Sequence, residues 1–128
     1  MAMDTPRTGL FAGKRVLVFG VANERSIAWA MAEAMHAQGA SLIFTYAGEL
    51  LEKRVRPLAG SVGAELVVPC DVTDDAQVEA CFRAVGEKWD SFDVLIHAVA
   101  FANRDDLEGR FMDTTRDGFL KALEVSAY

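Results

Sequence analysis

The residues whose spacing carries chemistry begin at Gly20. This glycine ends the apolar run Val16-Leu17-Val18-Phe19, and Ser26 follows just ahead of Ile27 and Ala28. A glycine at a strand end lets the chain turn sharply and places no Cβ between the backbone and a ligand. A capping serine would leave the amides of Ile27 and Ala28 as donors at the positive end of the next helix. Strand, glycine turn and helix N-terminus together form an arrangement that holds a pyrophosphate. The same residues also describe an ordinary strand-to-helix connection.

Further strand ends carry small or polar residues. Tyr46-Ala47-Gly48 follows the second apolar run, where a dinucleotide fold meets the adenosine ribose. A carboxylate there favours NAD and a basic residue NADP. Glu49 comes one step later, Lys53 and Arg54 lie in the next helix, and no arginine stands at the strand end, so NADH is expected ahead of NADPH. At Cys70-Asp71-Val72, Asp71 would accept from an adenine amino group while the following amide meets the ring, or would simply shape the turn. After the fourth run, His97-Ala98-Val99-Ala100-Phe101-Ala102 would let the backbone lie close to a flat cofactor, or form a buried apolar loop. His97 is read as a satisfied core histidine ahead of a catalytic base. His36 is given no role, and no histidine has triad spacing to a nucleophile and a carboxylate, so hydrolase chemistry has no support. Cys70 and Cys81 lack metal-ligand spacing and are expected as small buried apolar residues in a reducing compartment, with no metal site.

These strand ends need elements to hold them. Arg15 to Phe19, Ser41 to Tyr46, Glu65 to Pro69 and Asp93 to His97 read as strands, and the first two are almost wholly apolar, which suits a sheet covered on both faces. Between them lie helices over Ser26 to Gln38, Glu49 to Val62 and Asp74 to Trp89, with a fourth beginning near Thr115 and still running at Tyr128. The first helix is expected to bury Ile27, Trp29, Ala30, Met31, Ala34 and Met35, and the third Val78, Cys81, Phe82 and Val85. Gly39 and Gly63 stop helices, Pro57 should kink or shorten the second, and Asp74 with Gln77 resembles a capping box. Alternating strands and helices give an α/β fold with a doubly wound parallel sheet, Rossmann-like, in the order 3-2-1-4. Residues 1–12 read as a loose arm, with Leu10 and Phe11 tucked against a dinucleotide-binding domain over 13–128 that is incomplete at its C-terminal end.

Composition narrows the function. The 128 residues are 52% hydrophobic and 25% charged, with a net charge of −6 and no basic cluster, which argues against nucleic acid as a partner. No signal-peptide or membrane-spanning pattern is present, so a cytoplasmic protein with no membrane partner is expected.

Gly20-Val21-Ala22 and, three residues on, Ser26-Ile27-Ala28 resemble the cofactor loop of the bacterial NADH-dependent enoyl-[acyl-carrier-protein] reductases, a divergent branch of the short-chain dehydrogenases. Ordinary members of that superfamily carry a third glycine near Ser26-Ile27. The likeness continues through Phe44-Thr45-Tyr46, Cys70-Asp71-Val72, Phe92-Asp93, His97 to Ala102, and Thr115-Arg116-Asp117-Gly118-Phe119. It runs over nearly the whole chain from Gly9 and matches about the N-terminal half of a family member.

The resemblance implies a reductase of trans-2-enoyl thioesters carried on acyl carrier protein, working in fatty-acid synthesis and tetrameric when complete. It implies that Gly20, Ala22, Ser26 and Ile27 contact the pyrophosphate and ribose side of NADH, that Ala47 takes the adenosine-ribose position, and that Asp71 and Val72 hold the adenine. Ala98, Val99 and Ala100 would line the nicotinamide half, while Phe101, Ala102 and Leu107 would reach the acyl substrate. Family members often have a polar side chain where this chain has Ala47, and some have glycine at Ala100. The family's catalytic tyrosine stands seven positions before a lysine. This chain has only Tyr46 and Tyr128, with no lysine after Tyr128, so no catalytic residue lies within it and it is expected to be inactive alone. The rival readings are another short-chain dehydrogenase, such as a ketoacyl reductase, or a nucleotide-binding module without chemistry. Ser26-Ile27 and the His97 segment disfavour the first, whereas the missing tyrosine–lysine pair is what the second would show.

Overall fold

A strand covered on both faces must be apolar at successive positions, and β1 (Arg15–Phe19) and β2 (Ser41–Tyr46) meet that demand. The computed structural model describes residues 9–128, and in it Val16, Leu17, Val18, Ile43 and Phe44 are fully buried. β3 (Leu66–Pro69) and β4 (Val94–His97) complete a parallel sheet in the order β3-β2-β1-β4, as the sequence predicts.

Strand residues alternate between faces, so Val16 and Val18 share one side with Leu42, Phe44 and Ile96. That side is covered by α1 (Ile27–Ala37) and α2 (Glu49–Ser61) through Trp29, Ala32, Val55 and Ala59. The Trp29 and Phe44 rings meet at 5.9 Å. α3 (Asp75–Lys88) covers the opposite side, where Phe82 stacks on Phe19 at 6.3 Å. A right-handed crossover after each strand produces this division.

Several sequence expectations need correction. α1 buries Ala28, Trp29 and Ala32, while Ile27, Ala30 and Ala34 are exposed, because only a narrow stripe of an alanine-rich helix reaches the sheet. Phe82 touches Phe19 yet stays 41% exposed, since α3 lies over the edge of that face. α2 runs through Pro57 without being shortened by it. The fourth helix, α4 (Arg116–Ser126), ends before Tyr128. Of the expected N-terminal arm, residues 1–8 lie outside the described residues. Leu10 is exposed rather than tucked in, whereas Phe11 packs on the core and donates its amide to the Gln38 carbonyl at 3.0 Å. That carbonyl ends α1, where Gly39 at φ +99° lets the Ala40 amide turn back to Met35 and deliver the chain into β2.

The chain divides into two compact units, one ending at Ala98 and the other beginning at Val99. In the second, 3₁₀ turns at Arg104–Leu107 and Phe111–Asp113 precede α4. Thr115 caps α4 by accepting from the Gly118 amide at 3.1 Å. Ser126 holds the start of the unit to its end, accepting from the Phe101 amide at 3.0 Å.

Candidate functional site

Because the strands are parallel, their carboxyl ends share one edge of the first unit. That edge collects Gly20, Ala22, Ser26 and Ile27 after β1, Ala47 after β2, Asp71 and Val72 after β3, and Ala98 after β4. Register fixes the alignment, with Phe19 beside His97 and Tyr46 beside Pro69.

Gly20 has φ +107°, and a Cβ built on it would overlap the carbonyl of Ala98. The Ala98 amide donates to the Phe19 carbonyl at 3.1 Å, so the β1–β4 ladder runs one residue past β4 and presses Ala98 onto the turn. The sequence expectation was that Gly20 leaves room for a ligand. The space its missing side chain leaves is taken first by the protein's own backbone, which brings the ends of β1 and β4 together.

Ser26 stands at the N-cap of α1, but its side chain does not cap the helix. Its hydroxyl turns back and accepts from the amides of Ala22 at 2.9 Å and Asn23 at 3.1 Å. Asn23 tightens the same loop, its side-chain oxygen accepting from the Arg25 amide at 2.8 Å and its carbonyl from the Ser26 amide at 3.1 Å. Asn23 was missed in the sequence, where an asparagine accepting from the amide two residues on is an available signal for such a turn. The first intrahelical bond runs from Ala30 to Ser26, so Ile27, Ala28 and Trp29 point their amides out of the helix with no side-chain cap. The positive end of the helix dipole is left open to an anion.

The β3 end is closed by its own side chains. Asp71 accepts from the backbone amide and hydroxyl of Thr73 at 2.9 and 2.7 Å, and its amide donates to Gln77 at 3.0 Å. Asp74 caps α3 directly, accepting from the amides of Ala76 and Gln77 at 3.0 and 3.3 Å. Gln77 does not reach back to the Asp74 amide as a capping box requires; that amide bonds the Asp71 carbonyl at 3.1 Å.

At the β2 end Ala47 is exposed, and Tyr46 lies beneath the Arg56 guanidinium, 5.6 Å from its ring centre, with Arg56 paired to Glu52 at 2.7 Å. Burial, then the Glu52 carboxylate, pushes the Tyr46 phenol up, so it stays protonated near neutral pH. Burial also raises the Cys70 thiol and pushes Cys81 up to about 12, so neither is a thiolate nucleophile; both are free and buried. His97 is exposed at the end of β4 rather than packed in the core, since β4 pairs with β1 alone among the described residues.

Val99, Ala100, Phe101, Ala102 and Leu107 belong to the second unit. There Phe101 is 49% and Leu107 73% exposed, with Leu107 closing the first 3₁₀ turn. Among the described residues, no cluster of three or more His, Cys, Asp or Glu could hold a metal, and no helix is long and apolar enough to cross a membrane.

Comparison with known proteins bears on this edge directly. A family model described as enoyl-(acyl carrier protein) reductase matches residues 20–128. An enoyl-[acyl-carrier-protein] reductase [NADH] of Bacillus cereus is 52% identical over 121 residues, covering 93% of this chain and 47% of the relative. The crystal structure of the Bacillus cereus enoyl-acyl carrier protein reductase with NADP+ and indole naphthyridinone superposes with a TM-score of 0.87 at 52% identity, over 92% of this chain and 47% of that one. The reductase of Anaplasma phagocytophilum in complex with NAD superposes with a TM-score of 0.85 at 44% identity, over 90% and 44% of the two chains. The chain thus spans a little under half the length of the relatives it matches.

Proposed function

Because the chain belongs to the enoyl-(acyl carrier protein) reductase family, we propose that it is the dinucleotide-binding part of an NADH-dependent enoyl-acyl-carrier-protein reductase of fatty-acid synthesis. The observation that carries the proposal is the open N-terminus of α1, set beside the Gly20 turn at the junction of β1 and β4. The residues fit the cofactor: the amides of Ile27 and Ala28 face outward, and the loop before them is held by Ser26 rather than by a ligand.

NADH, when bound, supplies the hydride that reduces the enoyl double bond of the thioester. The chain's own residues bind and orient. Ile27 and Ala28 donate to the pyrophosphate, and Gly20 and Ala22 set the distance of the loop from it. Ala47 lies along the adenosine ribose. Asp71, held in place by Thr73, meets the adenine amino group with the Val72 amide beside it. Ala98, at the end of β4, would meet the nicotinamide half. These residues bind and orient, and the two buried thiols stay protonated. The substrate is an enoyl thioester on acyl carrier protein, and the protein is a cytoplasmic homotetramer.

Titration with NADH, followed by nicotinamide fluorescence, tests the proposal. Saturable binding by the wild type is expected, and Ile27→Pro, which removes one of the outward amides at a position that tolerates proline, should weaken it about three- to tenfold. No binding by a folded wild-type chain overturns it.

A further inference from the structure

Helix α4 carries a glycine that its own backbone does not require. Gly118 stands buried in the first turn and outside the left-handed region, so alanine would fit its dihedral angles and favour the helix more. What excludes alanine is Asp106. A Cβ built on Gly118 would overlap the Asp106 carboxylate, which fills the space a side chain would take.

Asp106 is held from its other side by the turn it belongs to. Its amide donates to the Asn103 carbonyl at 3.0 Å, and its carboxylate accepts from the Asn103 side-chain amide at 3.0 Å. The Gly118 amide donates to the Thr115 hydroxyl, so the carboxylate meets the helix by packing and through the positive end of its dipole. The Asp106 side chain thus joins the 3₁₀ turn Arg104–Leu107 to the start of α4. The ion pairs of this segment, Arg104 with Glu108 and Arg110 with Asp113, are local and tie nothing to α4. Leu107, 73% exposed, is the residue that follows Asp106.

We infer that Asp106 is a positioning residue, a staple that seats the Arg104–Leu107 turn in a socket at Gly118 and so sets the reach of Leu107 toward the acyl chain of the substrate. The inference rests on the reductase proposed above and on Leu107 meeting the acyl chain there. Asp106 itself acts through Leu107 and takes no part in the chemistry.

Two measurements test it. The first is thermal unfolding of the chain with Gly118→Ala, Asp106→Ala and the two combined. Gly118→Ala should lower the midpoint in the wild type. In the Asp106→Ala background the same substitution should leave it unchanged or raise it, because the socket is empty and alanine is the better helix former. Equal lowering in both backgrounds overturns the staple. The second is steady-state kinetics of the full-length reductase with NADH and a trans-2-enoyl thioester. Asp106 is partly exposed, so circular dichroism should show Asp106→Ala folded as the wild type. This variant should raise the KM for the thioester about fivefold or more, with kcat and the KM for NADH within about twofold of the wild type. An unchanged thioester KM, or an equal change for both substrates, overturns the positioning role and leaves the reductase reading standing. No reduction of the thioester by the full-length wild type overturns that reading and this inference with it.

Discussion

After β1 and after β3 the chain makes the same move, from the carboxyl end of a parallel strand through a short polar turn into a helix, but the capping side chains face opposite ways. Asp74 points forward and takes the first amides of α3, while Asp71 and Thr73 complete the turn behind it. Ser26 points backward and takes the amides of its own loop, so the first amides of α1 stay open. One helix end is finished by a side chain and the other keeps its first amides uncapped. A serine makes this choice possible: its neutral hydroxyl serves the loop without placing negative charge at the helix end, as a carboxylate would.

The sharpest way to break the contrast is at Gly20. Gly20→Val adds a branched side chain at φ +107° against the Ala98 carbonyl, and should cost about 3 kcal/mol or more in chemical denaturation. NADH binding should be lost with it. An unchanged denaturation midpoint would mean that β1 and β4 do not meet as described.

Ser26→Asp instead makes the first turn resemble the third. The carboxylate can accept from α1's own amides and places negative charge at the proposed pyrophosphate site. NADH affinity should fall about tenfold or more while stability stays within about 1 kcal/mol, because a cap replaces the loop bonds. Tight NADH binding by this variant would show that the phosphates lie elsewhere.

Asp74→Ala is the converse change. It removes the α3 cap and should cost about 1 kcal/mol, read by thermal unfolding, with NADH affinity unaltered. A parallel loss of binding would mean that the β3 end contributes more than its Asp71 turn.

The smallest effect lies at the opposite edge of the sheet. Asp93 accepts from the Arg15 amide at 2.9 Å and pairs with Lys14 at 3.4 Å, and the Arg15 hydrogen bond foremost holds its carboxyl below the ordinary carboxylate value. Its contribution to stability is therefore present above that ordinary value and lost as pH falls through the lower folded one. Acid unfolding of Asp93→Asn should show less pH dependence between about pH 4 and 2 than the wild type. NADH affinity at neutral pH should be the same in both, and identical acid profiles would remove Asp93 from the account.

The architecture was legible in the sequence because its signals are local. Continuous apolar runs marked β1 and β2, and the alternation with helices gave the strand order. The direction in which Ser26 points was not legible: the same residue at the same N-cap position serves either the helix or the loop, and Asn23 and the Ala22 amide decide it. Nor was the contact of Gly20 with Ala98, since residues so far apart in the chain meet only through strand pairing. The burial of α1 was misread because alanine carries no directional pattern, leaving Trp29 as the informative residue. His97 was read as a core histidine although the order 3-2-1-4 already put its strand at an edge; a strand that pairs on one side only, among the described residues, leaves its last residue exposed.

Amide chemical shifts on titrating the isotopically labelled chain with NADH test the central claim most directly. The amides of Gly20, Ile27 and Ala28 should move strongly and saturably, while those of Ala76 and Gln77, already bonded to Asp74, stay in place. Shifts concentrated at the start of α3, with none at the start of α1, would contradict it.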